Sequence, residues 1–376
     1  MTPEMLSALV ALVLGVALAV TLGLVVARQG RLRRSLGHAR ADVQALEARV
    51  ATLSDRLTAA EGEAHSGHEL ALIYNPVKSG VDEIRAYVET QARRDGFGDV
   101  LILETREDDP GVQMARDAVA AGVRRILVAG GDGTVRTVAE ELANTSVALG
   151  IVPMGTCNLL ARNLSLPIND PEECVRIALH GHQRVIDTVD VRLVHEDGER
   201  TRHTFTVMGG AGYDADIMGD TRDDLKDMAG WLAYSEAGLR HLGGERQEVS
   251  VALDGGPFRS YKMRSVLVAN CGMLTAGMEL LPEAKLDDGL LDVLILSPRN
   301  MMDWARIAVK TLTRHRRDLD SLHTKQATRV QVRFAEPTLS QLDGDATGDI
   351  TGLDARVQPD SLAVMIKNEE RASVQS

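Results

Sequence analysis

The sequence predicts a two-domain α/β protein, preceded by a transmembrane helix and a coiled-coil stalk. Three observations carry this. Between residues 70 and 152, short apolar runs alternate with helix-spaced segments, the pattern of a parallel sheet covered by helices. After about residue 184 the texture changes to strand-like runs separated by turn residues. Ahead of both, an uncharged apolar stretch leads into a heptad pattern. The 376 residues leave room for two globular domains plus an accessory segment. The expected divisions are 1–27, 28–66, 67–183, 184–337 and a C-terminal segment, 338–376.

Residues 5–27 hold no charge and are rich in leucine, valine and alanine. At about 1.5 Å per residue they can span a hydrocarbon core of about 30 Å. No basic residue precedes the run, which disfavours a cleaved leader. Arg28, Arg31, Arg33 and Arg34 follow it, placing the remainder on the cytoplasmic side. The expectation is a single-pass protein of the cytoplasmic membrane with everything after residue 28 facing the cytoplasm. Next, Leu32, Leu36, Ala39, Val43, Leu46, Val50, Leu53 and Leu57 form a heptad seam, expected to dimerise the protein. Residues 61–68 are a linker.

In the α/β domain, strands are expected at 70–74, 100–103, 125–128 and 147–152, and helices at 81–94, 111–121 and 135–143. In the β-rich domain, strands are expected at 184–194, 203–208, 247–253, 261–269 and 290–296, with one helix around 224–242. Asp254-Gly255 marks a hairpin. The net charge of −12 argues against nucleic acid as a partner. Three widely spaced cysteines, Cys157, Cys174 and Cys271, read as free thiols in a reducing compartment.

The most informative motif is Gly130-Gly131-Asp132-Gly133-Thr134, followed by Val135, between a strand and a helix. Glycines let backbone approach an anion closely, and the first-turn amides of the helix point at it. An acidic residue inside such a turn suits a metal that travels with phosphates, so the turn suggests a nucleotide with magnesium. Alone it equally suits a tight connection without ligand.

Other motifs sit where neighbouring strands should end. Asn75-Pro76-Val77-Lys78-Ser79-Gly80 offers an amide, a cation and a close-approach glycine, or an ordinary turn. Thr105 follows the second strand. Pro153-Met154-Gly155-Thr156-Cys157-Asn158 repeats the glycine-and-hydroxyl logic before a helix, although Thr156 or Asn158 also suits a plain cap. Lys285-Leu286-Asp287-Asp288-Gly289-Leu290 suits a hard cation or a solvated turn. Leu342-Asp343-Gly344-Asp345 offers a late carboxylate or a hairpin turn. Lys310, Arg314, Arg316 and Arg317 form a basic cluster, read as a solvated helix end.

Taken in order and spacing, Gly130–Thr134, Pro153–Asn158, Asp287–Gly289 and Asp343–Asp345 resemble the diacylglycerol kinase catalytic family, in particular its soluble-type bacterial lipid kinases related to sphingosine and ceramide kinases. The resemblance covers about residues 68–368. It implies ATP- and magnesium-dependent phosphorylation of a lipid hydroxyl, with diacylglycerol as the default acceptor and phosphatidic acid as product. The cleft would lie between a nucleotide-binding α/β domain and a β-sandwich. It further implies that Asn75, Pro76, Lys78, Ser79, Gly80, Thr105, Gly130, Gly131, Asp132, Gly133, Thr134, Val135, Gly155 and Thr156 line ATP. Asp132 would organise phosphates and magnesium with Asn158 supporting its loop. Lys285, Asp288 and Leu290 would hold a structural magnesium, and Asp345 would be the base. Asp345 stands where the family usually has glutamate, and Val77-Lys78 lengthens the first loop. The alternatives are a kinase of NAD, whose family shares Gly-Gly-Asp-Gly-Thr, and a nucleotide-binding scaffold without turnover.

Overall fold

The computed structural model describes residues 68–212, 246–273, 281–300, 302–303, 306–307 and 321–368. The expected span at 5–27, the heptad stalk, the helix around 224–242 and the basic cluster at 310–317 lie outside them. Among the described residues no helix is long and apolar enough to cross a membrane. The single-pass membrane location expected from the sequence is corrected on that finding.

The first lobe is a parallel sheet in the order β2-β1-β3-β4, formed by β1 (Leu70–Tyr74), β2 (Leu101–Glu104), β3 (Arg125–Gly130) and β4 (Ala148–Pro153). Every residue of β1 and β4 is buried, because helices cover both faces. On one face Leu70, Leu72 and Tyr74 pack with α1 (Val81–Arg94) and α5 (Pro171–His180). On the other, Ala71 and Ile73 meet α2 (Val112–Ala120), α3 (Asp132–Leu142) and the short α4 (Leu159–Asn163). The helix starts are locally encoded. Asp170 accepts the Glu173 amide at 2.9 Å ahead of Pro171, and Asp109 accepts the amides of Gly111, Val112 and Gln113 at the start of α2.

The second lobe is antiparallel and packs its inner faces around Phe205, Val191, Leu193, Val330, Val332 and Leu353. It comprises β5 (His182–His195), β6 (Arg200–Phe205), β7 (Met208–Gly212), β8 (Gln247–Leu253), β9 (Arg259–Met263), β10 (Ser265–Ala269), β11 (Leu291–Leu296), β12 (Leu322–Ala327), β13 (Arg329–Leu342) and β14 (Asp345–Ile366). The long β14 ties the lobes together. It pairs with β13 and β5, and Val364 sits beside Leu149 of β4 in parallel.

Most expected elements appear within a few residues of their expected bounds. Two expected strands are each split. The run 203–208 breaks at Thr206 and Val207, whose amides turn aside to a carboxylate described below. The run 261–269 breaks at Arg264, where pairing changes from β8 to β7 and β11. Asp254-Gly255 does make the β8–β9 hairpin, with positive φ at both residues. Asp254 also accepts hydrogen bonds from Thr328 and Arg329, so the turn fixes the start of β13.

Candidate active site

The cleft is built from loops that leave the carboxyl edge of the parallel sheet. β1 and β3 are in register at Tyr74 and Ala129, and β3 and β4 at Gly130 and Pro153, so the loops after them open side by side. They border a cavity of 610 Å³ closed from the second lobe by the β13–β14 turn.

The first loop is held by Asn75, whose Oδ1 accepts the Val77 amide at 3.1 Å and whose carbonyl accepts the Lys78 amide at 3.2 Å. Asn75 and Lys78 line the cleft, with the Lys78 side chain lying over Gly131. Pro76, Ser79 and Gly80 do not line it; Gly80 precedes α1 with a φ of 76°. Thr105 is buried beside Tyr74, whose carbonyl accepts its amide, and also lies off the cleft.

At the glycine-rich turn, the first bond of α3 runs from the Val135 amide to the Gly131 carbonyl at 3.0 Å. The amides of Asp132, Gly133 and Thr134 come before it and have no helical acceptor, which leaves them for an anion. Gly131, Asp132, Gly133 and Thr134 line the cleft. Gly130 packs on Thr134, and the Val135 side chain is in the core. Gly155 is fixed by contact between two backbones, since a Cβ there would stand 2.8 Å from the Gly131 Cα. Gly155 and Thr156 line the cleft.

Asp132 has a task the sequence reading did not foresee. Its two carboxylate oxygens accept the amides of Asn158 and Leu159 at 2.8 and 2.5 Å, joining the two glycine loops at the start of α4. Burial raises its pKa, those amides oppose the shift, and the charges of Asp343 and Asp345 add to it. Asn158 closes its own loop, accepting the Gly155 amide and donating to the Gly155 carbonyl.

The opposite wall is a two-residue hairpin. Asp343 and Gly344 have φ of 49° and 94°, and Leu342 pairs with Asp345 across them. Asp343 is 3% exposed and accepts four hydrogen bonds: from the amides of Thr206, Val207 and Met208, and from the Thr206 hydroxyl. These bonds are what separate β6 from β7. Asp345 therefore projects from a fixed turn to Gly133, where a Cβ would stand 3.0 Å from its Oδ2. The same Oδ2 accepts from Nε and Nη2 of Arg136, at 3.3 and 3.1 Å. Arg136 was missed from sequence. Its signal is the spacing Asp132, Arg136, Glu140, one face of α3.

Lys285, Asp288 and Leu290 lie away from the cleft, in the loop before β11. A second missed residue, Asp187, organises that loop. Its amide donates to the Leu286 carbonyl, and its carboxylate accepts the amides of Gly289 and Asp360 at 2.8 and 2.9 Å. Asp288 Oδ1 accepts the Leu290 amide at 3.0 Å. Nearby, burial together with Asp288 and Glu283 pushes the Asp292 carboxyl up to about 6.

Residues 69–191 match the family described as diacylglycerol kinase catalytic domain, and residues 207–366 match the YegS C-terminal NAD kinase beta sandwich-like domain. A diacylglycerol kinase of Bacillus subtilis is 31% identical over 242 residues, 63% of this chain and 76% of that protein. A probable lipid kinase YegS-like of Pseudomonas fluorescens is 30% identical over 298 residues, 77% of this chain and 92% of that protein. Among solved structures, a diacylglycerol kinase from Bacillus anthracis superposes with a TM-score of 0.59 at 20% identity, covering 80% of this chain and 97% of that one. Yeast NADH kinase complexed with NADH superposes at 0.51 with 11% identity, over 81% and 85%. The last two show a shared fold. On the sequence matches, the chain belongs to the diacylglycerol kinase and YegS-like lipid kinase family, and is a kinase.

Proposed function

We propose that the protein transfers the γ-phosphoryl group of ATP to the hydroxyl of a membrane lipid, diacylglycerol first among them, giving phosphatidic acid and ADP. The carrying observation is that first-turn amides without a helical acceptor, a lysine and a carboxylate share one cleft. The free amides at Asp132, Gly133 and Thr134, with Lys78 above Gly131, suit the polyphosphate. Asp345 suits the acceptor.

In this reading the lipid hydroxyl oxygen attacks the γ-phosphorus, forming one P–O bond as the bond to the β-phosphate bridging oxygen breaks. Asp345 takes the hydroxyl proton on Oδ1, while Arg136 keeps Oδ2 oriented. Such a transfer depends on positioning and charge neutralisation more than on covalent help from the protein.

The residues fit magnesium carried by the nucleotide. No cluster of three or more acidic, histidine or cysteine ligands occurs among the described residues, and magnesium is commonly held by one or two carboxylates plus substrate phosphates. Asp132 supplies such a carboxylate at the cleft; burial is the main cause of its raised pKa, and the charges of Asp343 and Asp345 add to it. Bound there, the ion would offset charge on the phosphates. In the loop before β11, the Asp288 carboxylate and the carbonyls of Lys285 and Leu290 suit a second, structural ion.

The test is transfer from labelled ATP to a panel of diacylglycerol, a sphingoid base and NAD. Labelled phosphatidic acid is the expected product, and Asp345→Asn is expected to abolish it while leaving ATP binding nearly unchanged. Label on NAD alone would reject the lipid reading, and substantial turnover by Asp345→Asn would reject the base.

A further inference from the structure

A second cavity lies on the outer face of the β-sandwich, away from the residues of the cleft. It measures 440 Å³, and its walls carry Arg192, Arg200, Arg202 and Arg333, with Phe258 at one rim and Gly352 at the floor. The strand register explains its shape. Arg200, Val194, Gly352 and Arg333 stand in one row across β6, β5, β14 and β13. The missing side chain at Gly352 makes a notch in that row between Val194 and Arg333, with Arg200 one strand beyond Val194. In the next row, Arg202 and Arg192 stand directly opposite each other, followed by Asp354.

Like charges in opposed positions cost stability, so this face needs compensating anions. The protein supplies some of them. Asp190 pairs with Arg202 at 2.5 Å, and Asp354 is occupied by Arg329 and Gln331. Arg200 and Arg333 have no carboxylate partner among the described residues. The Arg333 guanidinium instead sits 4.0 Å from the centre of the Phe258 ring, which is 37% exposed. Stacking fixes the plane of that cation and leaves its N–H donors available to an anion. In a chain of net charge −12, two uncompensated arginines lining one cavity stand out.

We infer that this notch is an anion site that takes the phosphate group of an anionic phospholipid presented at a bilayer surface. Arg333 beside the notch and Arg200 beyond Val194 line one cavity, and guanidinium groups match the oxygens of a phosphate. Three features favour a lipid over a free phosphate. The arginines extend over a sheet face broader than a single phosphate. Phe258 offers an exposed apolar edge beside the cations. The notch also shares β14 with the cleft, Asp345 lining the one and Gly352 the other, and Arg202 lies in the field of Glu140, which pairs with Arg136 at the cleft. A headgroup held there would keep the cleft close to the surface that carries a lipid acceptor.

The site is tested without turnover, so its failure is separate from failure of the kinase reading. The full chain is sedimented with vesicles of phosphatidylglycerol and phosphatidylcholine, or of phosphatidylcholine alone, across a salt series. Binding to the anionic vesicles should exceed binding to the neutral ones and weaken with salt. Each basic residue at an anionic surface contributes about fivefold to partitioning (about 1 kcal/mol). The variant Arg200→Gln with Arg333→Gln should therefore lose about 25-fold, whereas the charge-matched control Arg94→Gln with Arg124→Gln, in the first lobe, should lose far less. Equal losses in both variants, or no preference for anionic vesicles, would overturn the proposal. Saturable binding of inorganic phosphate, abolished by the double variant without any change in vesicle binding, would also overturn it by assigning the site to a free anion.

Discussion

Arg136 holds Asp345 across the two lobes, donating from Nε and Nη2 to a single oxygen, Oδ2, of a residue that lines the cleft. The arginine side chain is 15% exposed and is itself braced by Glu140 at 3.8 Å, whereas the aspartate side chain is 45% exposed. The rigid partner is thus the cation on α3, and the carboxylate on the hairpin takes its orientation from it. For Asp345 as the proposed base, one methylene shorter than glutamate, such a hold would be a gain, because proton abstraction needs a separation of about 3 Å.

Removing that hold should separate positioning from binding. Arg136→Ala is expected to lower kcat on the order of a hundredfold, the cost typical of a reacting group misplaced by about 1 Å. Arg136→Lys restores one charged donor but not the two-nitrogen contact, and should recover part of the loss. ATP affinity measured by nucleotide titration should change less than kcat in both. Equal loss of ATP affinity and kcat would instead make Arg136 a phosphate ligand.

The second hinge of the site is Asp343, whose role is structural. It is buried and accepts four hydrogen bonds from the segment between β6 and β7. Asn at this position presents an NH₂ group to amides that also donate, leaving buried donors unpaired. Hydrogen bonds to a charged group contribute about 1.5–3 kcal/mol each, and an orphaned buried donor costs about 1–3 kcal/mol. Asp343→Asn is therefore expected to lose about 3 kcal/mol or more of stability, read as a lowered midpoint in urea. An unchanged midpoint would show that the four bonds are replaceable.

These two aspartates show what the sequence could and could not reveal. Leu342-Asp343-Gly344-Asp345 was readable both as a turn and as chemistry; the turn is what the structure shows, with positive-φ residues making the hairpin that brings Asp345 to the wall of the cleft. The four strands of the first lobe and its helices α1, α2 and α3 were legible because each is encoded locally by apolar period, whereas α5 went unread although Asp170 and Pro171 mark its start. The break at Thr206 was not, because the acceptor that pulls its amide out of the strand lies far along the chain at Asp343. Arg136 was illegible for a similar reason. At helical spacing it reads as a solvated charge until β14 brings Asp345 beside it. Thr105 and Val135 lie near the cleft in sequence but not on its wall, since the first caps the end of β1 and the second enters the core.

His203, on β6 beside this network, gives the lobe contact a pH dependence. Burial is the main cause that lowers its pKa, and the positive charge of Arg136 and the neighbouring His195 lower it further. An unfolded histidine titrates near about 6.5. Between that value and the depressed folded pKa the unfolded chain binds more protons than the folded one, so stability rises with pH there. The contribution of neutral His203 is complete above about pH 6.5 and is lost as pH falls through the folded pKa. One proton limits the slope to about 1.4 kcal/mol per pH unit. Urea midpoints measured through this range should fall more steeply toward acid for the native protein than for His203→Gln, which cannot titrate. Parallel curves for the two proteins would remove His203 as the source.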